Sequence, residues 1–186
     1  EQTQVQENFP IKSGETAYLF LQHFIKKLKS GGRAGIIIKD TFLSNLDAKL
    51  LRKELLETCN LHTILNLPRK VFTAGVKTIV LFFEKGVSTK KIFYYDLNLN
   101  RNLGLTNPLT KSDLTDFENL YSNKKDSLNS WFKNISDINK ETWDLKVNNP
   151  NQIEKIDTRT PKEIVDEIEE IELKTKKSLN KIKNLL

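Results

Sequence analysis

The sequence predicts an α/β fold: half of a doubly wound sheet, followed by a long helical tail. Between residues 13 and 38, a helical pattern, a Gly-Gly turn and an apolar run follow one another, which is typical of a parallel sheet. A second apolar run, residues 78–83, is β-branched and aromatic, which predicts a strand buried on both faces. An open half-sheet has an unprotected edge, and the chain contains no methionine. We therefore expect these 186 residues to be a piece of a longer protein.

The first helix is predicted from Ser13, as N-cap, to about Lys29, with Glu15 in its first turn. We interpret Gly31-Gly32 as the helix C-cap. A phosphate-binding loop would join a strand to the helix after it, whereas this turn joins a helix to the strand after it. That strand, residues 34–38, is predicted to be short and fully buried.

A second helix is predicted over residues 47–59, followed by strands over 61–67, 78–83 and 91–96. Its inward residues are predicted to be Leu50, Leu51, Leu55 and Leu56. A parallel crossover needs about a dozen residues or more, and the connection before Thr78 is shorter. The strands that it joins are therefore predicted to be antiparallel neighbours.

Residues 98–160 are rich in Asn and Ser and predict short helices and loops on the edge of the sheet, with Thr110 as an N-cap. The tail opens with a capping box from Thr160 to Glu163 and predicts a helix over residues 161–186. One face of that helix is apolar: Ile164, Ile168, Ile171, Thr175, Leu179, Ile182 and Leu186. It either lies on its own domain or pairs with a helix of another subunit, and we favour the second.

Composition restricts the function only coarsely. The net charge of +6 lies before residue 161, and it fits either a nucleic-acid partner or a solvated lysine-rich surface. Cys59 is the single cysteine, which excludes an internal disulfide and favours a reducing, cytoplasmic setting. His23 and His62 have no Cys or Glu at ligand spacing, so no metal site is expected. The residues by themselves assign no reaction.

Two long segments carry a resemblance to a known family. Residues 13–45 read SGETAYLFLQHFIKKLKSGGRAGIIIKDTFLSN, and residues 50–85 read LLRKELLETCNLHTILNLPRKVFTAGVKTIVLFFEK. Shorter matches follow at residues 94–97, 107–110 and 143–145 and in the terminal helix. Together they closely resemble the modification subunit of type I restriction-modification systems, a family of S-adenosylmethionine-dependent adenine-N6 DNA methyltransferases. The resemblance covers nearly the whole chain.

The resemblance implies the C-terminal half of a Rossmann-like methyltransferase sheet whose final strand is inserted antiparallel. The family's cofactor glycine motif and its Asn-Pro-Pro-Phe catalytic motif lie upstream of this stretch, and neither occurs here. Residues 107–109 and 149–151 are not substitutes for the catalytic motif. We expect no catalytic or cofactor-binding residue in this chain. S-adenosylmethionine would be bound upstream, and the 186 residues alone would be inactive.

The resemblance also implies site residues. Phe72 occupies the position where related adenine methyltransferases stack an aromatic ring on the flipped base; the alternative is a core residue that plugs the end of the sheet. Arg69, Lys70 and Lys77 are placed to meet phosphates, or are solvated loop charges. Gly75 is a backbone requirement of the loop.

One departure from the family concerns the loop after the Ile-rich strand. The family often has Pro before Asp at this point, and this chain has Lys39-Asp40 instead. The resemblance therefore does not fix the loop shape, or any DNA contact, at this point.

The implied organisation has three parts. Residues 1–97 form the C-terminal part of the methyltransferase domain, residues 98–160 a covering region, and residues 161–186 a helix for subunit association. The implied partners are DNA, the DNA-specificity subunit and the restriction subunit, with no membrane. The alternative function is a non-enzymatic assembly module that docks on the specificity subunit through the terminal helix.

Overall fold

The computed structural model describes residues 7–72, 74–152 and 159–184. The chain divides into two compact units, with the boundary after Gln152. The principal elements of the first unit are α1 (Thr16–Lys27), β1 (Arg33–Lys39), α2 (Lys49–Thr58), β2 (Cys59–Asn66), β3 (Thr78–Lys85), β4 (Lys91–Asp96), α3 (Thr115–Asn123) and β5 (Ser130–Asn134). The second unit contains α4 (Pro161–Lys183).

The five strands form one sheet in the order β1-β3-β2-β4-β5. β3 lies between β1 and β2 and is antiparallel to both, which confirms the predicted antiparallel pairing. β2 and β4 are parallel. Strands β1, β2 and β4 therefore run in the same direction, and their carboxyl ends lie at one edge of the sheet.

Helices α1 and α2 cover one face of this sheet. Leu21, Leu51 and Leu55 are fully buried there, against apolar side chains from β1 to β4. Leu50, which we predicted to face inward, is 58 % exposed, so that prediction is wrong. It directly precedes Leu51, and 100° of helical rotation between neighbours places the two side chains on different faces.

The opposite face is covered by α3. Phe117 of this helix packs with Leu65, Phe93 and Tyr95 in a second apolar cluster. Phe82 of β3 stacks on Phe117, with ring centroids 6.0 Å apart. β3 therefore has apolar neighbours on both faces, although Phe82 itself is only half-buried.

Two predictions about the ends of the first helix are wrong. Its N-cap is Glu15 rather than Ser13, and the Ser13 hydroxyl accepts a bond from the Glu15 amide at 3.1 Å. Its C-cap is Leu28, three residues before Gly31. Gly31 has a φ of 76° in the following turn, where its amide donates to the Lys85 carbonyl. The glycine is required by this left-handed turn and not by the helix end.

Strand β1 is not fully buried, contrary to the prediction. Ile36 and Ile38 are buried by the two helices, but Ile37 between them is 52 % exposed. β1 is an edge strand, and within the described part of the chain only one of its faces is covered. The side chains of a strand alternate between faces, so Ile37 lies on the open one.

The region after β4 contributes a strand that the sequence did not predict. β5 is antiparallel to β4, and Trp131 stacks on Tyr94 with centroids 5.3 Å apart. The Tyr94 hydroxyl donates to the Leu145 carbonyl at 2.9 Å, and the Leu145 amide donates to the Leu43 carbonyl at 2.9 Å. Residues 94–97 and 143–145, which both carry the resemblance, are therefore in contact.

The tail helix α4 has the predicted capping box, with Pro161 in its first turn. Its apolar residues Ile168, Ile171, Leu179 and Ile182 are exposed. Leu186, predicted on the same face, lies outside the described residues. Within the described residues, no helix is both long and apolar enough to cross a membrane.

Protonation of His62 should destabilise the fold in acid. The ring packs on Tyr121 and bonds to Thr63; burial, with the nearby charges of Lys124 and Arg33, lowers its pKa from 6.5 to about 4. Between those values the unfolded chain binds a proton that the native chain does not. Stability should therefore fall with pH from about 6.5 to about 4, by at most roughly 1.4 kcal/mol per pH unit from this group.

Urea unfolding at several pH values measures this effect. A His62→Gln variant should show a shallower loss of stability in the same window. His23 is exposed on α1, and His23→Gln should keep the parent slope. Equal slopes for the parent and His62→Gln would contradict the assignment.

Candidate nucleic-acid site

The loop over residues 67–77 connects β2 to β3 at the edge of the sheet where β1, β2 and β4 end. At its base the Leu67 amide donates to the Thr78 carbonyl at 3.0 Å. Beside it, the Asn66 side chain donates to Asp96 at 2.7 Å, which joins the ends of β2 and β4. Open α/β sheets bind ligands at the carboxyl ends of their strands, so a ligand site is expected at this edge.

The tip of the loop is a turn with an unusual backbone. The Gly75 amide donates to the Phe72 carbonyl at 3.0 Å, and Gly75 has a φ of 64°. Lys70, which is not a glycine, also has a positive φ, of 65°. A positive φ costs a non-glycine residue conformational energy, and such strain is concentrated at functional sites. The predicted backbone role of Gly75 agrees with this geometry.

Phe72 is 42 % exposed and belongs to neither apolar cluster. It lines an open cavity of about 330 Å³. The residues around this cavity are Lys70, Val71, Phe72, Gly75, Gly104, Leu105 and Pro108. An aromatic side chain exposed in such a position can pack against a planar ligand.

The three predicted phosphate-binding residues are exposed on the same loop. Lys70 lines the cavity, whereas Arg69 and Lys77 lie outside it. The Lys77 carbonyl accepts a bond from the Asp40 amide at 3.1 Å, which fixes that end of the loop to the residue after β1. The structure thus brings Phe72, Lys70 and Gly75 together around one cavity and leaves two further cations beside it.

Sequence reasoning missed the other side of this cavity. Gly104, Leu105 and Pro108 belong to the loop that follows β4. Since β2 and β4 are parallel neighbours, the loops that follow them leave the sheet at the same edge. The Gly, Asn and Pro residues of 98–108 predict a loop, but only the strand order places that loop beside Phe72.

A network of hydrogen bonds closes the second loop. Arg101 donates to the Pro108 carbonyl at 3.0 Å and also bonds to Asn107 and Asp113. Gly104 and Asn107 exchange two backbone bonds of 3.1 Å. Bonds from the backbone and side chain of the N-cap Thr110, with Arg101 adding to them, lower the pKa of Asp113, so this anchor stays charged.

Lys39-Asp40 stands where the family often has Pro before Asp, and Lys39 has an extended backbone. Lys39 has a φ of −60° and a ψ of 143°. Proline adopts the same backbone angles. The Lys39 side chain pairs with Glu15 at 3.2 Å. Lysine therefore occupies a position whose backbone conformation proline could also adopt.

The connection from β1 to α2 does not have the glycines of a cofactor-binding loop. Cofactor glycine loops join a strand to the helix after it. The connection between β1 and α2, residues 40–48, contains no glycine, and β2 leads directly to another strand. In the described ranges there is likewise no cluster of three or more His, Cys, Asp or Glu suited to a metal ion.

Comparison with known proteins gives a consistent result. The family model for N-6 DNA methylases matches residues 2–159. The methylase subunit of the type I restriction enzyme EcoEI, from Escherichia coli, is 32 % identical, and the alignment covers 100 % of this chain and 41 % of that subunit. The chain thus spans less than half the length of this relative.

Two solved structures resemble the fold. One is a modification subunit assigned to a type I restriction enzyme of Vibrio vulnificus, with a TM-score of 0.74 at 29 % identity over 82 % of this chain and 36 % of that one. The other comes from work on complex assembly and conformational transition of the type I restriction-modification system. Its TM-score is 0.72 at 32 % identity, over 97 % of this chain and 41 % of that one.

These relatives confirm the resemblance and the fold class that the sequence predicted. The family model spans well over half of the residues. The chain therefore belongs to the N-6 DNA methylase family.

Proposed function

We propose that this chain is part of the modification subunit of a type I restriction-modification system, and that the complete subunit transfers a methyl group from S-adenosylmethionine to adenine N6 in DNA. The observation that carries the proposal is the cavity at the carboxyl edge of the sheet, where an exposed Phe72 lies beside Lys70. Family membership supports the reaction, and the exposed ring supports the role of this chain in it.

Phe72 stacks on the target adenine after the base has left the duplex. A base cannot be methylated at N6 while it is paired and stacked, and an aromatic ring replaces part of the lost stacking energy. The exposure of Phe72 and its absence from both apolar clusters favour this role over that of a core residue.

The cations of the loop bind the DNA backbone. Arg69, Lys70 and Lys77 are exposed around the base-binding loop, and phosphate contacts of this kind position the duplex without reading its sequence. Gly75 allows the tight turn that brings the loop tip close to the DNA.

The remaining parts of the proposal concern the whole subunit. S-adenosylmethionine and the catalytic motif belong to the portion of the subunit outside this chain, so the 186 residues are inactive alone. Residues 1–97 complete the methyltransferase domain, residues 98–160 cover it, and residues 161–186 dock on the DNA-specificity subunit. The restriction subunit joins the same complex. The setting is cytoplasmic, where a free, buried Cys59 stays reduced.

Replacing Phe72 by alanine in the full-length subunit, assembled in its complex, tests the proposal. With 2-aminopurine at the target adenine, we expect the fluorescence rise on binding to fall by about tenfold, since base–aromatic stacking is worth ~1–3 kcal/mol. Methyl transfer from tritiated cofactor should fall to a similar extent. Phe72→Tyr, which retains the ring, should restore both signals.

Phe24→Ala is the matched control. Phe24 is 41 % exposed, close to the value for Phe72, but it lies on α1 and does not line the cavity. Its replacement should leave base flipping unchanged. A full fluorescence signal and normal methyl transfer by Phe72→Ala would show that the ring is not a base-stacking group.

A further inference from the structure

We propose that Leu105 contacts the DNA as an apolar wedge, next to the position that the target adenine leaves. This inference rests on the proposed function of the Phe72 cavity and adds a residue that the family resemblance does not single out. Leu105 is 85 % exposed, and it lines the same cavity as Phe72 and Lys70. It belongs to the loop after β4, whereas Phe72 belongs to the loop after β2.

The loop that carries Leu105 is fixed, although the side chain itself is almost free of protein contacts. Arg101 bonds to Asn107, Pro108 and Asp113 in the same loop and the turn after it. Two backbone bonds between Gly104 and Asn107 close the turn in which Leu105 lies. A leucine held in water on such a turn costs free energy that an external apolar surface would recover.

DNA is the occupant that the surrounding charge favours. Lys70 lines the cavity with Leu105, and Arg69 and Lys77 are exposed on the adjoining loop. Proteins that distort DNA insert leucine and other apolar side chains between base steps, while nearby cations hold the phosphates. An apolar residue at the cavity mouth can therefore support the base pairs that flank the extruded adenine.

This role predicts a defect that depends on the substrate. In the full-length subunit within its complex, Leu105→Ala should reduce kcat/KM for methylation of a fully paired duplex by about tenfold, as expected for one lost leucine contact. A duplex with an abasic site opposite the target adenine needs less opening energy. On that substrate the Leu105→Ala activity should be within about twofold of the parent. Leu105→Met should behave like the parent on both.

Two further variants separate this inference from the proposed function. Phe72→Ala should remain defective on the abasic substrate, because the flipped base still lacks its stacking ring. Val87 is an exposed aliphatic residue in the turn after β3, at the opposite end of the sheet, and Val87→Ala should be normal on both substrates. Leu105 is so exposed that its replacement should leave the melting temperature unchanged.

Any other outcome would contradict the role of Leu105 as an apolar wedge. If Leu105→Ala were normal on paired DNA while Phe72→Ala was defective, Leu105 would have no role in base opening. The proposed function would be unaffected. Equal losses on both substrates would make Leu105 a wall of the base pocket and not a wedge. If the Leu105→Ala subunit no longer co-purified with the specificity subunit, Leu105 would be a contact to that protein and not to DNA. Normal activity of both variants would contradict the proposed function itself.

Discussion

Replacing Arg52 by methionine should destabilise the protein by about 3–5 kcal/mol, because four backbone carbonyls lose a charged hydrogen-bond donor at once. Arg52 is fully buried on α2. Its guanidinium donates to the carbonyls of Phe42, Asn45, Thr142 and Trp143 at 2.6 to 2.9 Å. One side chain therefore ties together the segment after β1, the helix α2 and the segment after β5.

The large effect follows from the nature of the acceptors. Burial lowers the pKa of Arg52, but carbonyl dipoles on four residues still stabilise its charge. Methionine retains much of the apolar volume and donates no hydrogen bond. Replacing a buried ion pair can be nearly neutral when both partners are replaced. Backbone carbonyls cannot be replaced, so methionine deprives the buried Phe42 and Trp143 carbonyls of their charged donor. The Asn45 carbonyl still accepts a bond from the Ala48 amide.

Chemical unfolding of the parent and two variants measures the effect. Lys53→Met is the matched control because Lys53 is the next residue on α2, is exposed and makes only a surface pair with Glu57 at 3.9 Å. It should change the free energy of unfolding by at most about 1 kcal/mol. Arg52→Lys should be intermediate, since one ammonium cannot reach both flanking segments. Similar midpoints for Arg52→Met and Lys53→Met would contradict this account.

The order of the first seven elements, α1 to α3, could be predicted in large part from local patterns. Apolar runs identified β1 to β4, and β4 was predicted with its observed ends, Lys91 and Asp96. The short connection before Thr78 predicted the antiparallel insertion of β3, because chain length limits what a crossover can do. Capping residues at Thr110 and Thr160 identified the two later helices.

What could not be predicted depends on tertiary contacts. Arg52 has the sequence context of a solvated helix charge, and its burial results from carbonyls about 90 residues later in the chain. β5 is short, and Trp131 is recognisable as a strand residue only by stacking on Tyr94. The exposure of Ile37 depends on the position of β1 at the edge of the sheet. Local periodicity contains none of this information.

The candidate site was also only partly predictable from the sequence. Phe72, Lys70 and Gly75 were singled out by resemblance, and they share one cavity in the structure. Gly104 and Leu105 were not, because their loop is more than 25 residues away in sequence. Parallel pairing of β2 with β4 brings the two loops together. All the residues of a site at the carboxyl edge of a sheet can be identified only when the strand order is known.

The helix α4 should be essential for association with the DNA-specificity subunit. It is 23 residues long, and Ile168, Ile171, Leu179 and Ile182 form an exposed apolar stripe along one face. Isoleucines and leucines held in water along a whole helix are typical of a helix-to-helix interface. A partner helix that buries them recovers about 1.5–3 kcal/mol for each large side chain. Several such residues together make the interface strong enough to hold a complex.

Pull-down of the specificity subunit with the full-length modification subunit tests this. Removing residues 161–186 should abolish co-purification, and the double change Ile168→Ser with Ile171→Ser should weaken the affinity by at least about 100-fold, the sum of two lost apolar contacts. Asp166→Ser with Glu169→Ser alters the same helix with the same new residue but spares the apolar face. That variant should bind normally. Undiminished binding by the isoleucine variant, or equal loss in both, would exclude the apolar face as the contact, because only that face distinguishes the two variants.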